Sequence, residues 1–245
     1  MLKVMQDIRI QGTKPYYEDS AGTQGNFAWV IDGASSLTGD TGDDGGVVAS
    51  FASNISMALH ELADTADDAV DLRALLHQAV QQATWQTGPL DLWHPWEPPS
   101  AAMVLAHVTD TQVRLIQSAD VTWQVSDETG IVGESSSEPE FAGFEAYNIS
   151  TVARLDRGSN DFAAARRDIF RATRAKANTE GGYPVVQYGM VIPLAVKETV
   201  VQANSPELVL YSDGWPKLER EGLAARLAGD SIFDDATYLR VQLRT

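Results

Sequence analysis

Two short apolar runs in this chain end in the same pair of residues. Phe27-Ala28-Trp29-Val30-Ile31 leads into Asp32-Gly33, and Leu208-Val209-Leu210-Tyr211-Ser212 leads into Asp213-Gly214. An apolar run of this length predicts a buried strand. Each aspartate then stands where burial gives way to a cleft, and the glycine lets the backbone turn sharply. Two such strands would bring carboxylates from distant parts of the chain to one place. The plainer reading is that Asp-Gly is a common turn pair and that these acids are surface turn residues of an acidic protein.

The rest of the composition narrows the chemistry. The chain has 245 residues, no cysteine and a formal net charge of −16. Such a charge repels phosphate-rich partners, so neither nucleic acid nor an anionic membrane surface is expected to bind. It suits a divalent cation, and equally it suits simple solubility. Without cysteine there is no disulfide, no thiolate metal site and no thiol nucleophile. His60, His77, His94 and His107 are isolated from one another, which argues against a histidine zinc site. The acidic loop 38–46 is not an EF-hand, because position twelve counted from Asp40 is Phe51 rather than glutamate. It reads as a loop leading into a helix. Met1-Leu2-Lys3-Val4-Met5-Gln6-Asp7 lacks the apolar core of a secretory signal, and no apolar run reaches membrane-spanning length. A soluble, cytoplasmic chain is expected, forming a single domain over 1–245.

The elements that must position the acids follow from periodicity. A first strand is predicted over 4–10, followed by the polar stretch Gly12 to Ser20 and the strand at 27–31. Val48, Phe51, Ile55, Leu59 and Leu62 mark one helix face, and Leu72, Leu75, Leu76, Ala79, Val80 and Ala83 mark a second. Residues 85–99 form a loop rich in Trp and Pro, either a cover or stacking platform for a site or rings packed on the core surface. Strands at 101–108, 112–117 and 122–126 suggest an antiparallel meander, and 129–146 reads as loop. A helix over 160–176 carries Arg166, Arg167, Arg171, Arg174 and Lys176. That run is either a solvated face or a holder for a phosphorylated partner. Strands at 183–188, 196–202 and 207–211 follow, then a helix from Pro216 to about Ala228 and a last strand ending at Leu243. Strands and helices are grouped rather than alternating, which predicts an α+β fold with largely antiparallel sheets.

Taken in order, these stretches resemble the metal-dependent protein phosphatases of the type 2C (PPM) family. Lys14-Pro15-Tyr16-Tyr17-Glu18-Asp19-Ser20 is similar to the family's early Arg-x-x-Asn-Glu-Asp-Ser motif. Trp29 to Gly33 resembles its apolar-apolar-Asp-Gly motif, and Pro99-Ser100-Ala101-Ala102 the segment that opens its central strands. Ser118-Ala119-Asp120 sits where the family has Gly-Asp. Leu210 to Gly214 resembles its Ser-Asp-Gly motif, and Asp234-Asp235-Ala236-Thr237 its closing Asp-Asn-x-Thr. The resemblance spans nearly the whole chain and implies a four-layer αββα sandwich.

It also implies a site. Asp32 would bridge two Mn2+ or Mg2+ ions, Gly33 would lend its carbonyl, and Asp213 and Asp234 would bind one ion. Glu18 and Asp19 would serve the other ion or orient its waters, and Asp120 with Asp213 could hold a third, weaker ion. Lys14 would hold the incoming phosphate. Two hard cations about 3.5–4 Å apart activate water and neutralise charge at phosphorus, and oxygen ligands suit magnesium or manganese. The implied activity is hydrolysis of phosphoserine and phosphothreonine in a protein substrate. The chain departs from the pattern at Lys14, which cannot make the bidentate grip of arginine, at Tyr17 for asparagine, and at Ala119 for glycine. Family members with His-Gly-Gly after Asp-Gly carry a histidine suited to protonating the leaving group; Ala34 and Ser35 stand here. A weakly active or inactive member, binding metal or a phosphoprotein as a regulatory module, is the alternative. A third reading is an interaction protein whose Trp-Pro loop, with Trp93, is the contact surface.

Overall fold

The computed structural model describes residues 1–34, 37, 45–91, 94–135, 139–190, 196, 198–216 and 234–243. In chain order the elements are β1 (Leu2–Ile10), β2 (Ser20–Gln24), β3 (Phe27–Ala34), α1 (Gly45–Thr65), α2 (Leu72–Thr87), β4 (Ser100–Val108), β5 (Gln112–Ser118), β6 (Thr122–Asp127) and β7 (Gly130–Glu134). Then come α3 (Pro139–Val152), α4 (Phe162–Arg174), β8 (Val186–Gln187), β9 (Glu198–Gln202), β10 (Glu207–Tyr211) and β11 (Ala236–Leu243). They build two antiparallel sheets, ordered β1-β11-β10-β6-β7 and β2-β3-β4-β5-β9, with β8 paired to β4. The fold is α+β, as the grouping of elements predicts.

The alternation of side chains in β3 and β4 explains the layering. Phe27, Trp29, Ile31, Ala101, Met103 and Leu105 face α1 and α2 and join one apolar cluster with Phe51, Ile55, Leu59, Leu72 and Leu76. Ala28, Val30, Ala102, Val104 and Ala106 face the other way, into a second cluster with Trp123, Val125, Leu208, Leu210, Leu239 and Val241. This period-two switch buries both faces of the sheet, so β3 reads as a continuous apolar run. The Asp71 carboxylate caps α2 by accepting from the backbone N–H groups of Arg73 and Ala74.

Several expectations need correction. The predicted meander is broken: β4 and β5 pair, but β6 pairs with β10 and β7 in the other sheet. Strand periodicity gives the strands without saying which sheet each one joins. Residues 129–146 were predicted as loop but carry β7 and the start of α3. Their Gly, Ser and Glu content hides pairing that is set by the neighbouring strands rather than by local propensity. The strand predicted at 183–188 shrinks to Val186–Gln187. The acidic loop between 38 and 44, Trp93, and all of the helix predicted from Pro216 beyond its first residue lie outside the described residues; 214–216 are helical. Among the described residues, no helix is long and apolar enough to cross a membrane.

Candidate active site

Antiparallel pairing decides where the acids meet. The end of β3 lies beside the start of β2 and the start of β4, because Ser20 pairs with Ile31 and Asp32 with Ala102. The end of β5 lies beside the start of β4, since Ser118 pairs with Met103. In the other sheet the end of β10 lies beside the starts of β6 and β11, with Tyr211 paired to Thr122 and Tyr238. Asp19, Asp32, Asp120, Asp213 and Asp234 all belong to these strand ends and connections, so they gather at one end of the sandwich. Asp32 shares the parity of Ala28 and Val30 and therefore points between the sheets.

Electrostatics register that gathering. Burial pushes the Asp32 carboxyl well above the ordinary carboxylate range, and the charges of Asp19, Asp213, Asp120 and Asp234 push the same way. Asp19 rises to about 7, first through burial and then through Asp235 and Asp234, against the pull of two hydroxyl hydrogen bonds. Those bonds come from Ser212 Oγ at 2.9 Å and Thr237 Oγ1 at 2.8 Å, both to Oδ2. Ser212 Oγ in turn accepts from the Thr237 N–H at 3.0 Å. Tyr17, at the position of the family's asparagine, hydrogen-bonds Thr237 through its hydroxyl. The phenol is pushed upward by burial.

Lys14 takes a definite place. Its Nζ lies 2.7 Å from Glu18 Oε2 and 2.7 Å from Asp234 Oδ1. Burial would lower its pKa, but Asp234 and Glu18 outweigh this and raise it. The ammonium thus joins the early segment to the segment before β11.

Asp235 was missed as a site residue. Its Oδ1 accepts from the Gly12 N–H and its Oδ2 from the Glu18 N–H, both at 2.6 Å. One carboxylate fastens the Gly12–Glu18 segment at both ends with two oxygens; asparagine, which the family carries here, offers a single acceptor oxygen. The two adjacent acids at 234 and 235 were the available signal, yet the sequence does not say which one turns inward.

The glycines are required by close approach. Gly33 lies within β3, and its N–H donates to Glu18 O at 3.2 Å. A Cβ there would fall 2.5 Å from Glu18 O and 2.8 Å from Val48 Cγ1. A Cβ on Gly214 would overlap the Asp235 carbonyl. The sharp turn expected at Gly33 is therefore replaced by a strand that runs on to Ala34. Ala119 has φ +55°, the left-handed region where glycine is at ease.

A cavity of about 390 Å³ opens beside Asp19, lined by Arg9, Gln11, Tyr17, Ser20, Ala49 and Ser53. The basic helix α4 is only partly a solvated face. Arg166 is exposed, whereas Arg171 donates from Nε and Nη2 to Leu37 O at 2.9 and 2.7 Å. In the Trp-Pro loop, Trp96 stacks on His94 and lies beneath the Arg171 guanidinium; Trp85, predicted in that loop, instead belongs to the last turn of α2 and stands in solvent at 83% exposure. Trp85 thus departs from the reading of rings packed on the core.

The donors at this end are nearly all carboxylate oxygens, which suit a hard divalent cation in kind. Among the described residues, however, no three acidic or histidine side chains are arranged around one point as a formed ion cage. The reason is visible in the contacts: Glu18 and Asp234 are drawn to Lys14, and Asp19 to Ser212 and Thr237.

No protein-family model matches the chain, and no curated protein matches it. Solved structures do. The Mycobacterium tuberculosis serine/threonine phosphatase PstP/Ppp superposes with a TM-score of 0.59 at 15% identity, covering 100% of this chain and 99% of that one. The catalytic domain of PstP in complex with two manganese ions gives 0.58 at 15% identity, covering 98% and 97%. The Staphylococcus aureus serine/threonine phosphatase Stp1 gives 0.56 at 13% identity, covering 100% and 96%. Two antiparallel sheets flanked by helices, matched from end to end of the chain, give this protein the fold of the PPM serine/threonine phosphatases.

Proposed function

We propose that the protein is a metal-dependent phosphatase that hydrolyses phosphoserine and phosphothreonine monoesters in protein substrates. The observation that carries this reading is Asp32 at the end of β3, with four further aspartates acting on its charge. Folding such a cluster is unfavourable unless something positive enters it. Asp32 is the central ligand in this reading, with the Gly33 carbonyl, Asp213 and Asp234 serving one ion and Glu18 and Asp19 the other. Asp120 with Asp213 offers a third, weaker position. Bound there, manganese or magnesium supplies neutralising charge and a water acidic enough to attack phosphorus at neutral pH.

The chain's own residues do the positioning. Ser212 and Thr237 hold Asp19 in one orientation through its Oδ2. Asp235 holds the Glu18 backbone in place, and the close approach at Gly33 sets β3 against that backbone. Lys14 brings a positive charge to the site rim. The fold of the manganese-bound PstP catalytic domain supports the assignment of a divalent cation. The second reading, a weakly active regulatory module, is favoured by the two carboxylates that Lys14 already occupies.

The test is hydrolysis of an aryl phosphate and of a phosphothreonine peptide, with manganese and with a chelator. Turnover that requires manganese is expected. A folded protein that binds manganese without turnover would favour the regulatory module.

A further inference from the structure

Lys14 stands at the sequence position of the family's phosphate-binding arginine, but its ammonium is held between Glu18 and Asp234 at 2.7 Å from each. An ammonium so placed balances the acids rather than facing outward to a substrate. A guanidinium arrives at the same end of the sandwich from another element. Arg174, in the last turn of α4, brings Nη1 to 3.5 Å from Ala34 O, two residues beyond Asp32. Burial pulls its pKa down, and the charge of Glu18 acts against that pull. Arg174 is therefore half-buried at the end of β3, within the field of Glu18.

Its position is fixed in advance. Arg171, one turn earlier, is bonded twice to Leu37 O. The neighbouring Thr173 is buried and donates to Asn148 Oδ1 of α3 at 2.6 Å. These bonds hold the last turn of α4 over the segment that follows Asp32-Gly33. A guanidinium held this way can grip two phosphoryl oxygens at once, which an ammonium cannot.

We propose that Arg174 of α4, rather than Lys14, grips the phosphoryl group of the substrate, while Lys14 serves as a built-in counter-cation to Glu18 and Asp234. This rests on the phosphatase reading above and divides two roles that the resemblance gives to a single residue. In consequence, Lys14 competes with a divalent cation for two of the proposed ligands, and Arg174 sets the affinity for phosphate.

The test measures two affinities in the full chain: manganese by calorimetry, and inorganic phosphate by the shift it causes in melting temperature, with and without manganese. Arg174→Gln weakens phosphate binding by at least about tenfold, the scale of a lost charge-assisted pair, and leaves manganese affinity within about twofold. Arg174→Lys keeps the charge and much of the packing, and it loses most of the same phosphate affinity because the bidentate grip is gone. Lys14→Met tightens manganese binding and leaves phosphate affinity nearly unchanged. The inference is overturned if folded Arg174→Gln and Arg174→Lys bind phosphate as the wild type does, or if Lys14→Met carries the loss instead. A wild-type chain that binds phosphate but no manganese would contradict the metal-dependent reading; the role of Arg174 would still stand if its substitution removed that phosphate binding.

Discussion

The two ends of the sandwich handle charge in opposite ways. At the end away from Asp32, acids lie beside basic side chains. His107 Nε2 lies 3.2 Å from Asp68, and Arg114 bonds Glu198 at 2.8 Å and the Val70 carbonyl at 3.0 Å. At the other end, Asp19, Asp32, Asp120, Asp213 and Asp234 face one another across the ends of both sheets, and the carboxyls of Asp19 and Asp32 are pushed upward. Paired charges contribute modestly to folding, while crowded like charges oppose it. A fold carries such a surplus at one end only if something beyond folding uses it, and in this account that is the binding of hard cations.

The sharpest way to break the comparison is to remove the central charge. Asp32→Asn should reduce manganese-dependent aryl phosphate hydrolysis to background and abolish the rise in melting temperature that manganese gives by binding the folded state. In the metal-free protein the same change should raise melting by about 2–4 °C, the shift that ~1 kcal/mol produces in a domain of this size. His107→Gln, at the paired end, should instead lower the melting temperature and leave the manganese shift intact.

The next largest effect is expected at a glycine. Gly214→Ala forces a methyl into the Asp235 carbonyl. It should destabilise the protein by about 1–3 kcal/mol, as overpacking does, and weaken manganese binding as well, because the segments that carry Asp213 and Asp234 must move apart. Chemical denaturation and calorimetry would measure the two effects separately.

The two ends should also answer pH with opposite slopes. Asp19 has a folded value of about 7 against an ordinary 3.8, so the folded state holds that proton more tightly than the unfolded chain. Its contribution is present below the ordinary value and is lost as pH rises through about 7; Asp32 acts in the same sense. Burial lowers the His107 pKa below its ordinary 6.5, against the pull of Asp68. Its contribution is present above the ordinary value and is lost as pH falls through the folded one. Metal-free melting curves between pH 4 and 8 should therefore show a shallower upper-pH decline in Asp32→Asn, with the Asp19 part remaining, and should lose the lower-pH decline in His107→Gln. Manganese should flatten the upper-pH decline only.

Smallest is the relief of local strain at Ala119. Its left-handed φ costs an alanine about 1–2 kcal/mol. Ala119→Gly should return part of that as higher stability, with little change in manganese affinity.

What the sequence made legible follows from how local each signal is. Asp32 and Asp213 stand out because each ends an apolar run, a pattern confined to a few adjacent residues. The paired helices α1 and α2 are legible for the same reason, through their apolar spacing. The sheet exchange between β5 and β6 was hidden, because nothing within Thr122–Asp127 records that its partners are β10 and β7. The inward turn of Arg171 and Arg174 was hidden too, since a run of basic residues on a helix has the same composition whether it meets solvent or a carbonyl. Asp235 is the clearest such case: its role depends on backbone groups more than two hundred residues earlier in the chain.

The central claim is tested most directly by a calorimetric titration of metal-free protein with manganese at neutral pH, run in parallel on wild type and Asp32→Asn. The account predicts about two manganese ions per chain for the wild type, the number expected of a two-metal site, and loss of that binding in the variant. A wild-type chain that takes up no manganese, or a variant that binds it equally well, would contradict the account.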